Sequence, residues 1–253
     1  MRIVNAPVVA ALGVVAALAA ACPAAADPAG ARVLTAPTAW LPGPGEVVAM
    51  LGIDHRGDGA AIVGAGLGGL AELELGTDSD VRGCRDCTAR PSPVVLGRAA
   101  VRIGARQNAW FSGMPALVFG VRTAFAAAGH AVHEPRASDA YLVASRDLGI
   151  VRLHAGIDAL SASAGGLRAE ARWRPLAGLE IHPPIYPRSS LLGDLAWEPE
   201  LDARRGPMLA WILGVGARYQ AFRWASVELA VRVREHEELG ATTVMVRVNA
   251  IAR

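Results

Sequence analysis

Val151-Arg152-Leu153-His154-Ala155-Gly156-Ile157-Asp158-Ala159 alternates without a break: every odd position is apolar, and the even ones are charged, polar or Gly. The same two-residue rhythm returns in 167–174, 225–234 and 242–252. Successive side chains of a β-strand point to opposite faces, so each segment carries one apolar and one charged face. Each is close to the roughly 9–11 residues that a tilted strand needs to cross a bilayer. The pattern predicts an all-β fold, an antiparallel up-and-down transmembrane β-barrel.

The chain has 253 residues, 53% of them apolar and only 19% charged. After the N-terminus no run of 18 or more apolar residues occurs, so helical membrane spans are not expected. All 25 basic residues are Arg, a mark of GC-rich codon usage rather than of chemistry. A net charge of +2 gives no ground for a nucleic-acid partner.

The first 26 residues read as a secretory signal peptide. Arg2 is the basic start, residues 6–21 are a short apolar core, and Ala24-Ala25-Ala26 offers a small-residue cleavage site. A retained anchor is the alternative, against which the short core speaks. Cys22 would leave with the signal, with its lipidation as a second reading. Cys84 and Cys87 remain as a pair, and in an oxidising compartment they predict a small disulfide loop. A lone CxxC supplies two thiolates, and no His follows at zinc spacing, so no metal is expected there.

Residues 27–45, rich in Pro, Gly and Ala, read as an extended N-terminal segment, and 46–253 as the barrel domain. About 12 strands are expected, near 46–54, 60–66, 70–76, 94–105, 115–126, 138–147, 150–160, 166–174, 189–198, 208–219, 225–235 and 241–252. The connections at 77–93, 127–137, 199–207 and 235–240 are long, polar or Gly-rich. Those at 67–69, 146–149 and 220–224 are tight, with the Pro-rich 175–188 as an exception. Bacterial outer-membrane barrels show this asymmetry, with short periplasmic turns. Trp40, Trp110, Phe111, Trp173, Tyr219, Phe222 and Trp224 fall near the expected periplasmic ends, and Trp197 and Trp211 toward the others, as aromatic girdles require.

If the apolar phase faces lipid, the charged phase lines the lumen. That set is Arg98, Arg102, Arg122, Arg152, His154, Asp158, Arg168, Glu170, Arg172, Asp194, Arg218, Glu228, Arg232 and Arg247. Basic and acidic residues in adjacent strands suit a narrow interior, because buried charges must be paired. A secreted or periplasmic β-sandwich or lipocalin-like binding protein is the alternative, with the two faces exchanged.

Two stretches carry a resemblance. Pro184-Ile185-Tyr186-Pro187-Arg188-Ser189-Ser190-Leu191-Leu192-Gly193-Asp194-Leu195 leads to Gly214-Val215-Gly216-Ala217-Arg218-Tyr219-Gln220-Ala221-Phe222-Arg223-Trp224. An acid-bearing strand, a Gly-x-Arg-Tyr strand and an aromatic turn resemble hairpins of the YjbH-like group of outer-membrane barrels linked to exopolysaccharide export. Pro37-Thr38-Ala39-Trp40-Leu41-Pro42-Gly43-Pro44-Gly45-Glu46 is similar to the start of such barrels. The resemblance implies a fold and a location in the outer membrane, not a substrate.

Enzyme motifs are missing: there is no Gly-x-Ser-x-Gly, no His-Glu-x-x-His and no GxxxxGK[ST]. The Gly-rich 64–69 reads as a tight turn rather than a nucleotide loop, since strand rather than helix follows. His130, His133 and Glu134 offer only a weak surface metal possibility. Ser161 and Ser163 have no His to pair with. No cofactor and no catalytic residue is expected. Two functions fit: a structural or assembly component with a filled interior, whose partners are membrane lipid and proteins of an envelope complex, or a narrow channel for small solutes.

Overall fold

The computed structural model describes residues 32–55, 59–78, 82–84, 92–93, 96–126, 136–164, 167–202, 206–235 and 242–253. Its strands are β1 (Val47–Asp54), β2 (Gly59–Leu67), β3 (Ala71–Asp78), β4 (Arg82–Cys84), β5 (Ser92–Pro93), β6 (Leu96–Ala105) and β7 (Ala116–Ala126). They continue as β8 (Arg136–Asp147), β9 (Val151–Ala164), β10 (Leu167–Ile181), β11 (Ser189–Asp202), β12 (Gly206–Phe222), β13 (Ala225–Arg234) and β14 (Thr243–Ala252). Apart from β4 and β5, each pairs antiparallel with the next, and β14 pairs with β1. The twelve strands form a closed up-and-down barrel, and closure leaves no sheet edge to blunt. The β4–β5 ribbon lies outside the ring, with β4 parallel to β11.

One end, the base, carries the start of β1, the end of β14 and the turns at 68–70, 106–115, 148–150, 182–188 and 223–224. Gly68 and Gly69 both have positive φ in the 67–70 turn, where Leu70 N–H donates to Leu67 O, and with Leu67 paired to Ala71 the connection is three residues. The other end is the mouth. Its connections are less uniformly long than the sequence suggests: β11 and β12 continue to Asp202 and from Gly206, so 203–205 replaces the expected loop at 199–207. The long 127–135 stretch lies outside the described residues.

The dyad pattern has one consistent meaning. Ile53, Leu73, Leu75, Val101, Ile103, Phe119, Val121, Leu142, Leu153, Ile157, Leu191, Leu213, Val215, Leu229 and Val246 are all exposed, and they come from strands all round the ring. A soluble monomer rarely exposes more than a few hundred Å² of contiguous apolar surface. A continuous apolar belt over a charged interior is the arrangement that lipid requires and a water-facing sandwich forbids. Trp110, Phe111, Tyr186, Tyr219 and Phe222 stand exposed at the base, and the Phe222 ring stacks on Trp224 with centroids 5.2 Å apart. Two aromatics depart from expectation. Trp40 packs inside the barrel beside a buried apolar cluster. Trp173 stands toward the mouth, because β10 does not end at 174 but runs on to Ile181.

Candidate functional site: a filled barrel interior

The lumen is lined by charges that are buried and matched across neighbouring strands. On β3, Glu72 meets Arg102 of β6 at 2.5 Å, and Glu74 meets Arg98 at 2.6 Å. Arg122 of β7 and Asp139 of β8 form a two-pronged pair. The densest network spans the base half. Arg218 of β12 bonds Glu228 of β13 at 2.7 Å and Glu180 of β10 at 3.1 Å. Glu228 also takes Arg247 of β14 at 3.3 Å and the Asn249 side-chain amide at 2.7 Å. Toward the mouth, Arg234 pairs with Glu198 at 2.7 Å. Pairing of this kind offsets much of the desolvation cost that isolated charges would carry in so narrow a space.

Residues 32–41 enter this interior as a plug. The chain turns tightly at 33–36, with Val33 N–H donating to Ala36 O, and its backbone then finds partners on the wall. Asp194 of β11 accepts three successive amides through one carboxylate oxygen: Leu34 at 3.1 Å, Thr35 at 2.5 Å and Ala36 at 2.6 Å. Such a run of N–H groups is an anion nest, and here the anion belongs to the wall. The carbonyls are taken by arginines: Arg218 donates to Arg32 O and Val33 O, Arg247 to Leu34 O, and Arg102 to Thr38 O and Trp40 O. Val33 and Leu34 pack with Leu192, Ala230 and Met245, while Ala39, Trp40 and Leu41 pack on Ala116, Val118, Tyr141, Val143 and Leu176. Gly178 makes the space: a Cβ there would stand 2.7 Å from Val33 Cγ2.

A three-residue set sits beneath the plug. Ser145 Oγ accepts the Ala39 N–H at 2.7 Å and lies 2.7 Å from His154 Nδ1. The donor in that contact follows the His154 tautomer, and the other ring nitrogen is Nε2. That atom faces Glu180 Oε1 at 3.3 Å, too far off line for a hydrogen bond. Ser, His and a carboxylate are the residue types of nucleophilic catalysis. Here all three are buried and the serine oxygen is occupied by the plug, so the set braces residue 39.

Most residues of the expected lumen set lie on this interior face. Arg98, Arg102, His154, Asp158, Asp194, Arg218, Glu228, Arg232 and Arg247 are buried, and Arg122 and Arg152 are partly so. β10 departs from the pattern. Its pairing with β9 slips one residue between Ala169 and Arg172, so Arg168 stands opposite Ser163 on the outward face. A bulge exchanges the two faces beyond it, which a plain alternation in sequence conceals. Arg172, opposite Leu160, is exposed at the mouth, and Glu170 falls within the slip. Cys87 lies outside the described residues, so the Cys84–Cys87 loop has no description here. Sequence reasoning missed Asp139, Glu180 and Glu198 as interior charges, although each sits on the charged phase of its strand. It also missed Ser145, whose partner is visible only once β8 and β9 are in register.

Solved structures share this architecture. The KdgM porin matches at a TM-score of 0.50 with 6% identity, over 81% of this chain and 98% of that one. The KdgM porin in complex with disordered oligogalacturonate matches at 0.48, again with 6% identity and the same coverage. The outer membrane phospholipase (OMPLA) dimer of Salmonella typhi with bound calcium matches at 0.43 with 8% identity, over 85% of this chain and 91% of that one. At such identities the likeness shows the fold alone: this chain has the closed antiparallel barrel of outer-membrane proteins. No protein-family model and no curated protein matches it.

Proposed function

We propose that this is a sealed outer-membrane barrel that serves as a structural or assembly component of the envelope, not as an open passage. The observation that carries the reading is the occupation of the lumen by residues 32–41, held through their backbone by Asp194, Arg102, Arg218 and Arg247. An Arg and carboxylate lattice cross-links the wall behind the plug, leaving few interior charges for a passing solute. The export signal over 1–26 and the disulfide loop at Cys84 and Cys87 belong to the same reading, as do lipid and envelope proteins as partners. So does kinship with the YjbH-like barrels linked to exopolysaccharide export, which rests on 37–46 and 184–224.

A second reading, a narrow passage for small solutes, draws on one feature. Beside the plug, Arg32, Arg98, Arg232 and Arg247 line a small cavity with Asp54, an excess of positive charge that would favour anions. Single-channel recording in planar bilayers separates the two. The mature chain is expected to give no current steps, and a chain lacking 27–41 to conduct. Steady ohmic conductance from the mature chain would overturn the sealed reading.

A further inference from the structure

The barrel has one poorly zipped seam. β10 and β11 are 15 and 14 residues long, yet they pair only over Ala177–Ile181 with Leu191–Leu195, five residue pairs at the base. Their other neighbours hold them along 13 and 14 pairs. Above Ala177 and Leu195 the two strands separate.

The cause is in the sequence. The Pro175 carbonyl accepts the Trp197 indole N–H at 2.9 Å, so it points toward β11. In an extended strand the N–H of a residue points the same way as its C=O, and Pro175 has none. The ladder loses a donor where it would have to continue. Pro199 of β11 likewise has no N–H to give.

What fills the gap is a charge. Arg174 belongs to the interior phase of β10, opposite Asp158. Trp197 belongs to the outward phase of β11, between the buried Ala196 and Glu198. Yet the Arg174 guanidinium lies over the Trp197 ring, 4.2 Å from its centroid. The guanidinium therefore lies in the seam, against the ring of the outward-phase Trp197. Among the described residues its Nε is buried without a hydrogen-bond partner.

Height in the membrane fits a head group. Roughly 9–11 residues of tilted strand cross a bilayer. Trp173 and Trp197 each stand nine residues into the wall, counted from Ile181 and from Ser189 at the base. They occupy the far interface, where indoles collect. Toward the base, the outward surface beside the seam is Pro175, Ala177, Leu179, Leu191 and Leu195.

We propose that the β10–β11 seam is a lateral binding site for an anionic, phosphate-bearing amphiphile of the membrane. Its head group bonds the Arg174 guanidinium, with Arg172 at the mouth adding charge, and its acyl chain lies along the Pro175–Leu195 surface toward the base. A guanidinium in a low-dielectric wall is a strong phosphate donor, and the indole behind it fixes its plane.

The test uses the refolded mature chain in liposomes with spin-labelled phosphatidic acid or phosphatidylcholine. Motionally restricted lipid is read by electron paramagnetic resonance. Phosphatidic acid should be preferred by roughly fivefold, the scale of one arginine on an anionic lipid. R174Q should bring the preference to near parity, while R223Q, at the base turn, should leave it intact. A boiling-dependent mobility shift checks that each variant is a folded barrel, which also separates failure of this site from failure of the barrel reading. If R174Q does not fold, W197L, which removes the platform under the guanidinium, should lower the preference instead. Equal restriction of both lipids by the wild-type chain would overturn the proposal. So would an equal loss in R223Q, which would mean diffuse charge, or a dimer that expels the labelled lipid, which would put a second copy at the seam.

Discussion

Two seams of the same barrel behave in opposite ways. Where the chain ends meet, β1 and β14 are only 8 and 10 residues long, yet they pair along eight residue pairs, Val47 with Ala252 through Asp54 with Met245. β10 and β11 are far longer and share five. Strand length does not set the ladder. Available N–H groups and an unbroken pleat do, and β10 lacks both, with Pro175 facing its neighbour and a register slip above it. The short ladder is compensated from inside. Asp194 sits within it, opposite Gly178, and ties the plug to the wall at that height.

The comparison can be broken at either seam. The largest effect is expected on the well-zipped side, where Glu228 joins Arg218 and Arg247. Glu228→Ala leaves two buried guanidinium groups short of a partner and should cost about 3–5 kcal/mol, seen in the urea midpoint of the lipid-embedded protein. An unchanged midpoint would mean that water reaches these charges. Asp194→Ala comes next. It strips three plug amides of their acceptor, at roughly 1 kcal/mol or more apiece, and should let trypsin cut after Arg32, a site the wild-type chain protects. Continued protection would show that the apolar contacts of Val33 and Leu34 hold the plug alone.

Smaller effects sharpen the contrast. The amides of Trp173 and Trp197, which point into the seam, should exchange with deuterium roughly tenfold faster than those of 48–53, because ladder-bonded amides open only with the fold. Uniform protection around the ring would close the seam in solution. Pro175→Ala supplies the missing N–H toward β11. It should slow exchange near 196–198 and move stability by less than about 1 kcal/mol, since a gained bond is offset by a freer unfolded chain.

The wall was legible in the sequence because its rule is local. A period of two, carried by Val151–Ala159 and its repeats, states which side chains share a face, and the structure keeps that partition round the ring except at the bulge in β10. The plug was not legible. Residues 32–41 hold on through amides and carbonyls that every sequence possesses, so Pro-, Ala- and Thr-rich composition reads as linker. Pro175 misled for a related reason: it suggests the end of a strand, yet it is tolerated mid-strand where the missing N–H faces a gap. The bulge near 170 inverted Arg168, and the Ser145–His154–Glu180 contact needed three strands in register. Features that depend on pairing, rather than on neighbours in sequence, lay beyond a reading of one chain.

The central claim is that the N-terminal segment fills the barrel. In a background with Cys84 and Cys87 replaced by Ser, V33C with G178C places one thiol on the plug and one on β10, where a Cβ on residue 178 would lie 2.7 Å from a Val33 methyl. Mild oxidation of membranes should link the two almost completely, giving a reducible mobility change and no maleimide labelling. Two free thiols that label readily in the folded barrel would contradict the account.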